Sequence, residues 1–438
     1  MTGRVFHTSD WHLGRQIGRH RRDAEFDAVL AEIVDIAADF RPDLIVHSGD
    51  LFDSPRPGLD DLVRAAQTLR RLGRVAPVVV VAGNHDTRNV LTFLEFILND
   101  MGTQDRTQAR VRFATDARPD GLLTAEYPTA DGESVIRIGA LPYLHPNRFA
   151  YDFADPATAT AAYAERMRAV QADVHQRLAA GAGPDHLLVF AAHLYVEGAV
   201  PSRTEKPISI ADEYAVAAGA LPGVAYGALG HIHKPQAITS SPFPAYYAGS
   251  PLQLDFGEIN DTKTVVLAEI GSGRDPRITT EPLTSGRRLV KLEGTLDEIA
   301  LRAGRVGDAW VKAVVNTEAS NPHLGEALQK MLPEATLVII DEIRPGAASR
   351  VLDRSAATEE LPGIEELLRS YLDDRGTSGV VLDRAMAAFG ALSDESDPDD
   401  PSPCCEETLL SAAIAGAGLD GIDRSGLLSA ITPPEDAR

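Results

Sequence analysis

Five short segments of this chain carry residues that could do chemistry together. In order they are SDWHLG (9–14), SGDLFD (48–53), AGNHD (82–86), AAHLYVEGA (191–199) and GHIH (230–233). Each follows an apolar run, and together they supply Asp10, His12, Asp50, Asn84, His85, His193, His231 and His233. Imidazole, carboxylate and one amide oxygen, with no thiolate, suit octahedral Mn²⁺, Fe²⁺ or Mg²⁺ better than a structural Zn²⁺. Two such ions bring about +4 against −2 from Asp10 and Asp50, so a small cleft keeps about +2 by formal count. Such a cleft can hold a phosphate between two metals and lower the pKa of a bound water to roughly 7. The chemistry these residues predict is two-metal phosphoester hydrolysis.

The spacing has geometric sense. Asp10 and His12 are two apart, as are His231 and His233. In an extended chain such pairs point to one side, so each pair could hold a metal from one face. A glycine precedes Asp50, Asn84 and His231, which allows sharp turns and close backbone approach. Other histidines read differently. His7 and His47 lie inside apolar runs and read as strand residues. His20, His145, His175, His186 and His323 have no motif around them and read as surface or structural. Asp53 and Asp86 either orient a histidine or loop backbone, or are plain turn residues. Arg19, Arg21 and Arg22 either reach a substrate backbone or form a solvated face.

The elements that must position these residues follow from periodicity. Strands are predicted at Arg4–Thr8, Leu44–Ser48, Val78–Ala82, Val135–Leu141, His186–Ala192, Val224–Leu229 and Thr264–Ile270. Their apolar runs are continuous and β-branched, as in strands buried on both faces of an α/β protein. Helices are predicted at about 24–39, 59–72, 91–101 and 157–180. The motifs would then gather beyond the carboxyl ends of five strands. A second unit, 283–345, reads as small α+β: LVKLEG, WVKAVVN and TLVIIDEI as strands around a helix near 322–332. Residues 346–392 read as helical, with a stripe at Leu361, Ile364, Leu367, Leu368 and Tyr371. Residues 393–438 read as an acidic linker and tail.

Composition bounds the rest. The 438 residues suggest about three domains. The net charge of −22 argues against gripping a polyanion by bulk charge alone, though not against a local positive site. The two cysteines, Cys404 and Cys405, are adjacent, so there is neither a disulfide framework nor a CxxC knuckle. No signal peptide is read at the start, and the apolar run at 75–83 is too short to span a bilayer. A cytoplasmic protein with no membrane partner is expected.

The ordered set DxH…GD…GNHD…H…GHxH resembles the calcineurin-like metallophosphoesterase superfamily. With HTSDWHLG at the start, ALGHIHKPQ, and YYAGSPLQLDFGE ending at Glu258, residues 1–282 resemble its bacterial SbcD-type nucleases, relatives of the Mre-type repair enzymes. The resemblance implies an α/β fold with a central β-sandwich flanked by helices. It places a small α+β capping domain at 283–345 and a helical partner-docking region at 346–392. It implies that Asp10, His12 and His233 hold one metal, that Asn84, His193 and His231 hold the other, and that Asp50 bridges them. His85 would not ligate; it would face the scissile phosphate and donate a proton to the leaving 3′-oxygen or stabilise charge there. The metals would be Mn²⁺, with Mg²⁺ or Fe²⁺ as alternatives. The activity would be that of a double-stranded DNA exonuclease and single-stranded endonuclease, acting on duplex ends and hairpins in repair and recombination. The partners would be DNA and an SbcC-type ATPase, with a homodimer inside a heterotetramer. Two other readings stand beside it. One is a phosphatase or cyclic-nucleotide phosphodiesterase for a small substrate. The other is a metal-free scaffold, against which every ligand position is filled.

Overall fold

The computed structural model describes residues 2–99, 110–118, 121–145, 156–202, 216–272, 274–318, 321–343 and a few positions between 368 and 386. The chain divides into two units, Met1–Ala347 and Ala348–Arg438.

Continuous apolar runs give strands that need cover on both faces, and the first unit provides it with two stacked six-stranded sheets. One sheet contains β1 (Gly3–Thr8), β2 (Leu44–His47), β3 (Val78–Val81), β4 (Val111–Ala114), β11 (Thr264–Gly271) and β12 (Arg274–Pro282), in the order β12-β11-β1-β2-β3-β4. The other contains β5 (Leu123–Pro128), β6 (Val135–Leu141), β7 (His186–His193), β8 (Tyr226–Gly230), β9 (Gln236–Ala237) and β10 (Ala245–Tyr247), in the order β5-β6-β7-β8-β10-β9. β1 to β4 run parallel, and so do β6, β7, β8 and β10. Strand periodicity divides the side chains. Val5, Val46, Val79 and Val81 meet Ile136, Ile138, Val189 and Ala228 between the sheets. Phe6, Ile45, Val78 and Val80 face outward to helices α1 (Asp23–Phe40), α2 (Leu59–Val75) and α3 (Arg88–Leu98). Phe190, Ala192 and Leu229 face Met167, Val170 and Val174 of α4 (Pro156–Ala179). Each fully buried aliphatic side chain contributes about 1.5–3 kcal/mol. The result is an α/β sandwich flanked by helices, with the parallel strands of both sheets ending on one side.

Periodicity does not predict five strands of the sandwich, β4, β5, β9, β10 and β12. They are short, mixed in polarity or at sheet edges. β12 carries Pro276 and Pro282, which an edge strand tolerates because one side of its backbone needs no partner.

A third sheet holds β13 (Leu289–Gly294), β14 (Trp310–Asn316) and β15 (Thr336–Ile343), all parallel. Helices α5 (Leu296–Ala303) and α6 (Leu324–Met331) make the two crossovers and close a core of Leu292, Ile299, Val311, Ala313, Val315 and Leu328. α5 is absent from the sequence-based expectation, although TLDE spells its start. The Thr295 hydroxyl accepts from the Glu298 amide, and the Glu298 carboxylate accepts from the Thr295 amide. In the second unit, helical backbone is described at Leu368, Arg369, Leu372, 382–384 and Met386. Leu361, Ile364, Leu367, Tyr371, both cysteines and the 393–438 tail lie outside the described residues. Among the described residues, no helix is long and apolar enough to cross a membrane.

The small sheet meets the sandwich through Trp310, Leu289 and Ile17, and through one polar node. Trp310 Nε1–H donates to Glu25 Oε1 at 2.8 Å, and the Arg287 amide donates to Glu25 Oε2 at 2.8 Å. The buried Arg22 pairs with the same carboxylate at 2.7 Å. Burial pushes Glu25 upward, but Arg22 and the Arg287 and Trp310 donors outweigh it and hold the carboxyl below its usual range. A depressed acid stabilises the fold above its unfolded value and loses that contribution as pH falls through the folded one. Glu25→Gln should therefore lower stability at neutral pH by about 3 kcal/mol. The gap to the parent should close as pH falls below about 4.5. Melting curves of both proteins between neutral and acid pH check this, and a gap independent of pH would contradict it.

Candidate metal centre

The motif residues gather where β1, β2, β3, β7 and β8 end. β1 runs out at Thr8 into Asp10 and His12, and β2 runs out at His47 into Asp50. β3 leads to Asn84 and His85, His193 closes β7, and His231 and His233 follow β8. The first two loops are zipped together. The Asp10 amide donates to Gly49 O at 2.9 Å, and the His12 amide donates to Asp50 O at 3.1 Å.

The extended geometry expected of the two-apart pairs is not what brings them together. Asp10, His12, Asp50 and His231 have φ of 49°, 46°, 53° and 102°. Such backbone is uncommon outside glycine, and Asp and His are among the residues enriched there. It costs on the order of 1–3 kcal/mol per residue and persists only where the surroundings enforce it. Here it turns side chains inward that an extended loop would splay. The glycines serve close approach. At Gly49, with φ of 118°, a Cβ would strike the His193 ring. At Gly83 it would strike the Asp50 carboxylate and amide. Gly83→Ala should cost about 1–3 kcal/mol by overpacking. It should also weaken metal binding by displacing Asp50. Thermal melting and a Mn²⁺ titration test both effects, and a silent substitution would refute the close-approach argument.

Three donor groups converge. Ligand atoms of Asp10, His12 and His233 lie within 4.8 Å of one another, as do those of Asp10, Asp50 and His193, and those of His12, Asp50 and His85. Asn84 Oδ1 stands 3.0 Å from both His193 Nε2 and His231 Nδ1. Asp50 Oδ2 lies between the groups, 3.5 Å from His12 Nε2 and 3.4 Å from His193 Nε2. His12 Nε2 and His233 Nε2 face each other at 3.1 Å.

Electrostatics matches a cation-binding set. Asp10 and Asp50 are buried. Burial pushes Asp10 up to about 6. Burial also works upward on Asp50, but His193, His12 and His85 hold it well below the usual range. Burial lowers His12 to about 4 and His231 to about 3, which keeps both in the neutral, ligating form. His193 is the exception: burial works downward, yet Asp50 and Asp10 outweigh it and raise the ring to about 9. Its Nδ1 lies 3.0 Å from the Ser48 carbonyl, which can only accept, so Nδ1 carries a proton and Nε2 faces the carboxylates. A dication can take the place of a proton there. Two buried carboxylates with opposed imidazole nitrogens fit divalent metals.

The calcineurin-like phosphoesterase family matches this chain over residues 3–235. The chain belongs to that family. It is similar to the SbcD component of the SbcCD nuclease of Bacillus subtilis strain 168, with 30% identity over 396 residues, 87% of this chain and 95% of the relative. The SbcD component from Escherichia coli K12 is 27% identical over 358 residues, 77% of this chain and 84% of the relative. That from Rhodobacter capsulatus is 30% identical over 288 residues, 63% of this chain and 68% of the relative. The chain is thus an SbcD-type calcineurin-like phosphoesterase, and a divalent-metal phosphoesterase chemistry goes with its site.

Around the metallophosphoesterase centre the structure places residues that local sequence leaves open. Asp53 Oδ1 stands 3.3 Å from His12 Nδ1, and the Asp53 carbonyl accepts from His85 Nδ1 at 2.7 Å. Asp86 binds loop backbone, accepting from Leu51, Phe52 and Gly83 amides at 3.0–3.1 Å. Sequence reasoning misses Tyr143: its ring stacks on His231 at 5.8 Å and meets His193 edge-on at 5.9 Å. It misses Glu258 and Lys263 as well. Glu258 Oε1 lies 3.4 Å from His233 Nδ1, and Lys263 Nζ pairs with Oε2 at 2.7 Å. Burial works upward on Glu258, but His233 and Lys263 carry it down to about 2. The LQLDFGE segment is the signal that could have found Glu258.

His7 and His47 are buried strand residues; His7 bridges Tyr226 Oη and Ser48 Oγ at 2.9 and 2.8 Å. His20, His145, His175, His186 and His323 contribute no atom to the three donor groups. The basic run does not form one face. Arg22 is buried against Glu25, Arg21 pairs with Asp23 at the surface, and Arg19 is exposed.

Proposed function

We propose that the chain is a Mn²⁺-dependent nuclease subunit that hydrolyses DNA phosphodiesters at duplex ends and hairpins, together with an SbcC-type ATPase. The observation that carries the reading is the placement of Asp50 between two histidine-bearing donor groups at one end of the sandwich. In this reading Asp10, His12 and His233 would hold one ion, Asn84, His193 and His231 would hold the other, and Asp50 would serve both. When bound, the ions supply Lewis-acid charge to phosphate oxygens and lower the pKa of a water. The chain's own residues do the rest. Asp53 and Ser48 carbonyls fix the His85 and His193 rings. His85, its ring fixed through Nδ1–H to the Asp53 carbonyl, would deliver a proton from Nε2 to the leaving 3′-oxygen when the ring carries a proton on both nitrogens, and would return to the neutral form. Asp86 cross-links the loops that carry Asp50 and His85.

The three-stranded sheet is read as a capping domain over DNA, and 346–392 as the region that docks the ATPase. A homodimer within a heterotetramer, working in the cytoplasm, completes the reading. Likeness to nuclease subunits of SbcCD supports a nucleic-acid substrate and an SbcC partner. With a charge of −22, duplex binding by the isolated chain is expected to be weak and to fall steeply with salt. Fluorescence anisotropy across a salt series checks this, and tight binding that ignores salt would contradict it.

The deciding experiment incubates end-labelled linear duplex DNA with the purified chain, its ATPase partner and Mn²⁺. Shortening of the label that EDTA suppresses is expected. Inert DNA alongside rapid hydrolysis of nucleotide monoesters would overturn the nuclease reading.

A further inference from the structure

Glu258 has no exposed surface, and neither the family match nor the donor groups assign it a task. It sits in a 3₁₀ turn, Phe256–Glu258, on the segment that follows β10. Lys263 Nζ donates to Glu258 Oε2 at 2.7 Å, to the His233 carbonyl at 3.0 Å and to Ser250 Oγ at 2.8 Å. The Leu254 amide adds a second donor to Oε2 at 3.0 Å. The other oxygen, Oε1, faces His233 Nδ1 at 3.4 Å.

The segment itself is pinned from both sides. Gln253 Nε2 donates to the Glu258 carbonyl at 3.0 Å, and Gln253 Oε1 accepts from the Leu289 amide of β13 at 3.3 Å. Arg22 Nη1 donates to the Gln253 carbonyl at 2.5 Å. Glu258 thus has little freedom to turn away from His233. A buried ion pair is weak evidence for stability, because desolvation offsets much of the attraction. Its place against one ring nitrogen is the informative feature. A neutral imidazole carries one proton, and the group facing one nitrogen decides where that proton sits. A carboxylate facing Nδ1 puts the hydrogen there and leaves Nε2 as a lone pair. Nε2 is the atom that faces His12 in the Asp10–His12–His233 group.

We propose that Glu258 is a positioning residue for the metal centre: anchored by Lys263, it holds His233 as the Nδ1–H tautomer and so leaves Nε2 as a lone pair within the Asp10–His12–His233 group. This rests on the reading of Asp10, His12 and His233 as a metal site. Partners of this kind affect metal affinity about 10–100-fold when removed.

The test uses the full chain and Mn²⁺ followed by calorimetric titration. The parent is expected to bind two ions. The double variant Glu258→Gln/Lys263→Met removes both buried charges together at similar shape. It is expected to bind Mn²⁺ at one of the two sites about 10–100-fold more weakly, with the melting temperature of the metal-free protein little changed. Unchanged affinity at both sites would overturn the positioning role while leaving the metal centre standing. A parent that binds no Mn²⁺ would overturn the metal reading itself. Should the double variant fail to fold, ¹⁵N NMR of the histidine rings in the metal-free parent decides. The Nδ1–H form of His233 supports the proposal, and the Nε2–H form overturns it.

Discussion

Asp50→Ala is expected to reduce metal-dependent DNA cleavage to background. Asp50 Oδ2 is the carboxylate atom that stands within 3.5 Å of a histidine from each of the two proposed metal sites, His12 and His193. Its removal leaves Asp10 as the only carboxylate of the proposed ligand set, so half the negative charge facing two dications is lost. The backbone changes less, because the His12 amide donates to the Asp50 carbonyl, which alanine retains. The His85 amide loses its acceptor, Asp50 Oδ1 at 2.9 Å, at a cost of about 1–3 kcal/mol. Circular dichroism and Mn²⁺ titration would separate that cost from the loss of metal. Asp50→Asn keeps the shape but has one oxygen and no charge, so it should fail as badly. Cleavage by either variant within a few-fold of the parent would remove Asp50 from the bridging role.

His85→Ala should behave differently: two ions still bound, and cleavage slowed about 10²–10⁴-fold. The contrast is informative because the geometry admits His85 to a donor group with His12 and Asp50. Its ring also meets the His12 ring edge-on at 4.8 Å. Against ligation stands the hydrogen bond from Nδ1 to the Asp53 carbonyl, which holds the ring in place by itself. The His85 amide would still donate to Asp50 in the variant, so the bridging carboxylate keeps its support. Calorimetric stoichiometry and single-turnover rates measured on one preparation distinguish the two roles. Loss of an ion would make His85 a ligand, and full activity would deny it any role.

The residue types at the site are legible in the chain because each motif is local and follows a recognisable apolar run. Val135–Leu141 and the three strands of the small sheet can be read to the residue, because continuous or alternating apolar patterns end at clear polar or glycine breaks. Asp53 and Asp86 are ambiguous in sequence because an acid in a turn has the same local signature whether it serves the loop or a neighbour. Only the approach of His12 and of the Leu51, Phe52 and Gly83 amides separates the two cases. Arg19, Arg21 and Arg22 look like one basic run. Glu25 and the Gln253 carbonyl hold Arg22 in the interior, while Arg19 and Arg21 stay outside.

By itself, then, the sequence determined the central strands of the sandwich, the three strands of the small sheet and every helix but α5, together with the donor types and the side of the sheets on which they would collect. Tertiary structure alone decided how they converge. Asp10, His12, Asp50 and His231 point inward through left-handed backbone, a conformation local spacing does not encode and the surrounding loops must enforce. His233 meets His12 across 221 positions of chain, and Trp310 meets Glu25 across 285. Contacts at that separation leave no periodicity to read. They exist because two sheets bury their apolar faces against each other, and that burial fixes which loop ends become neighbours.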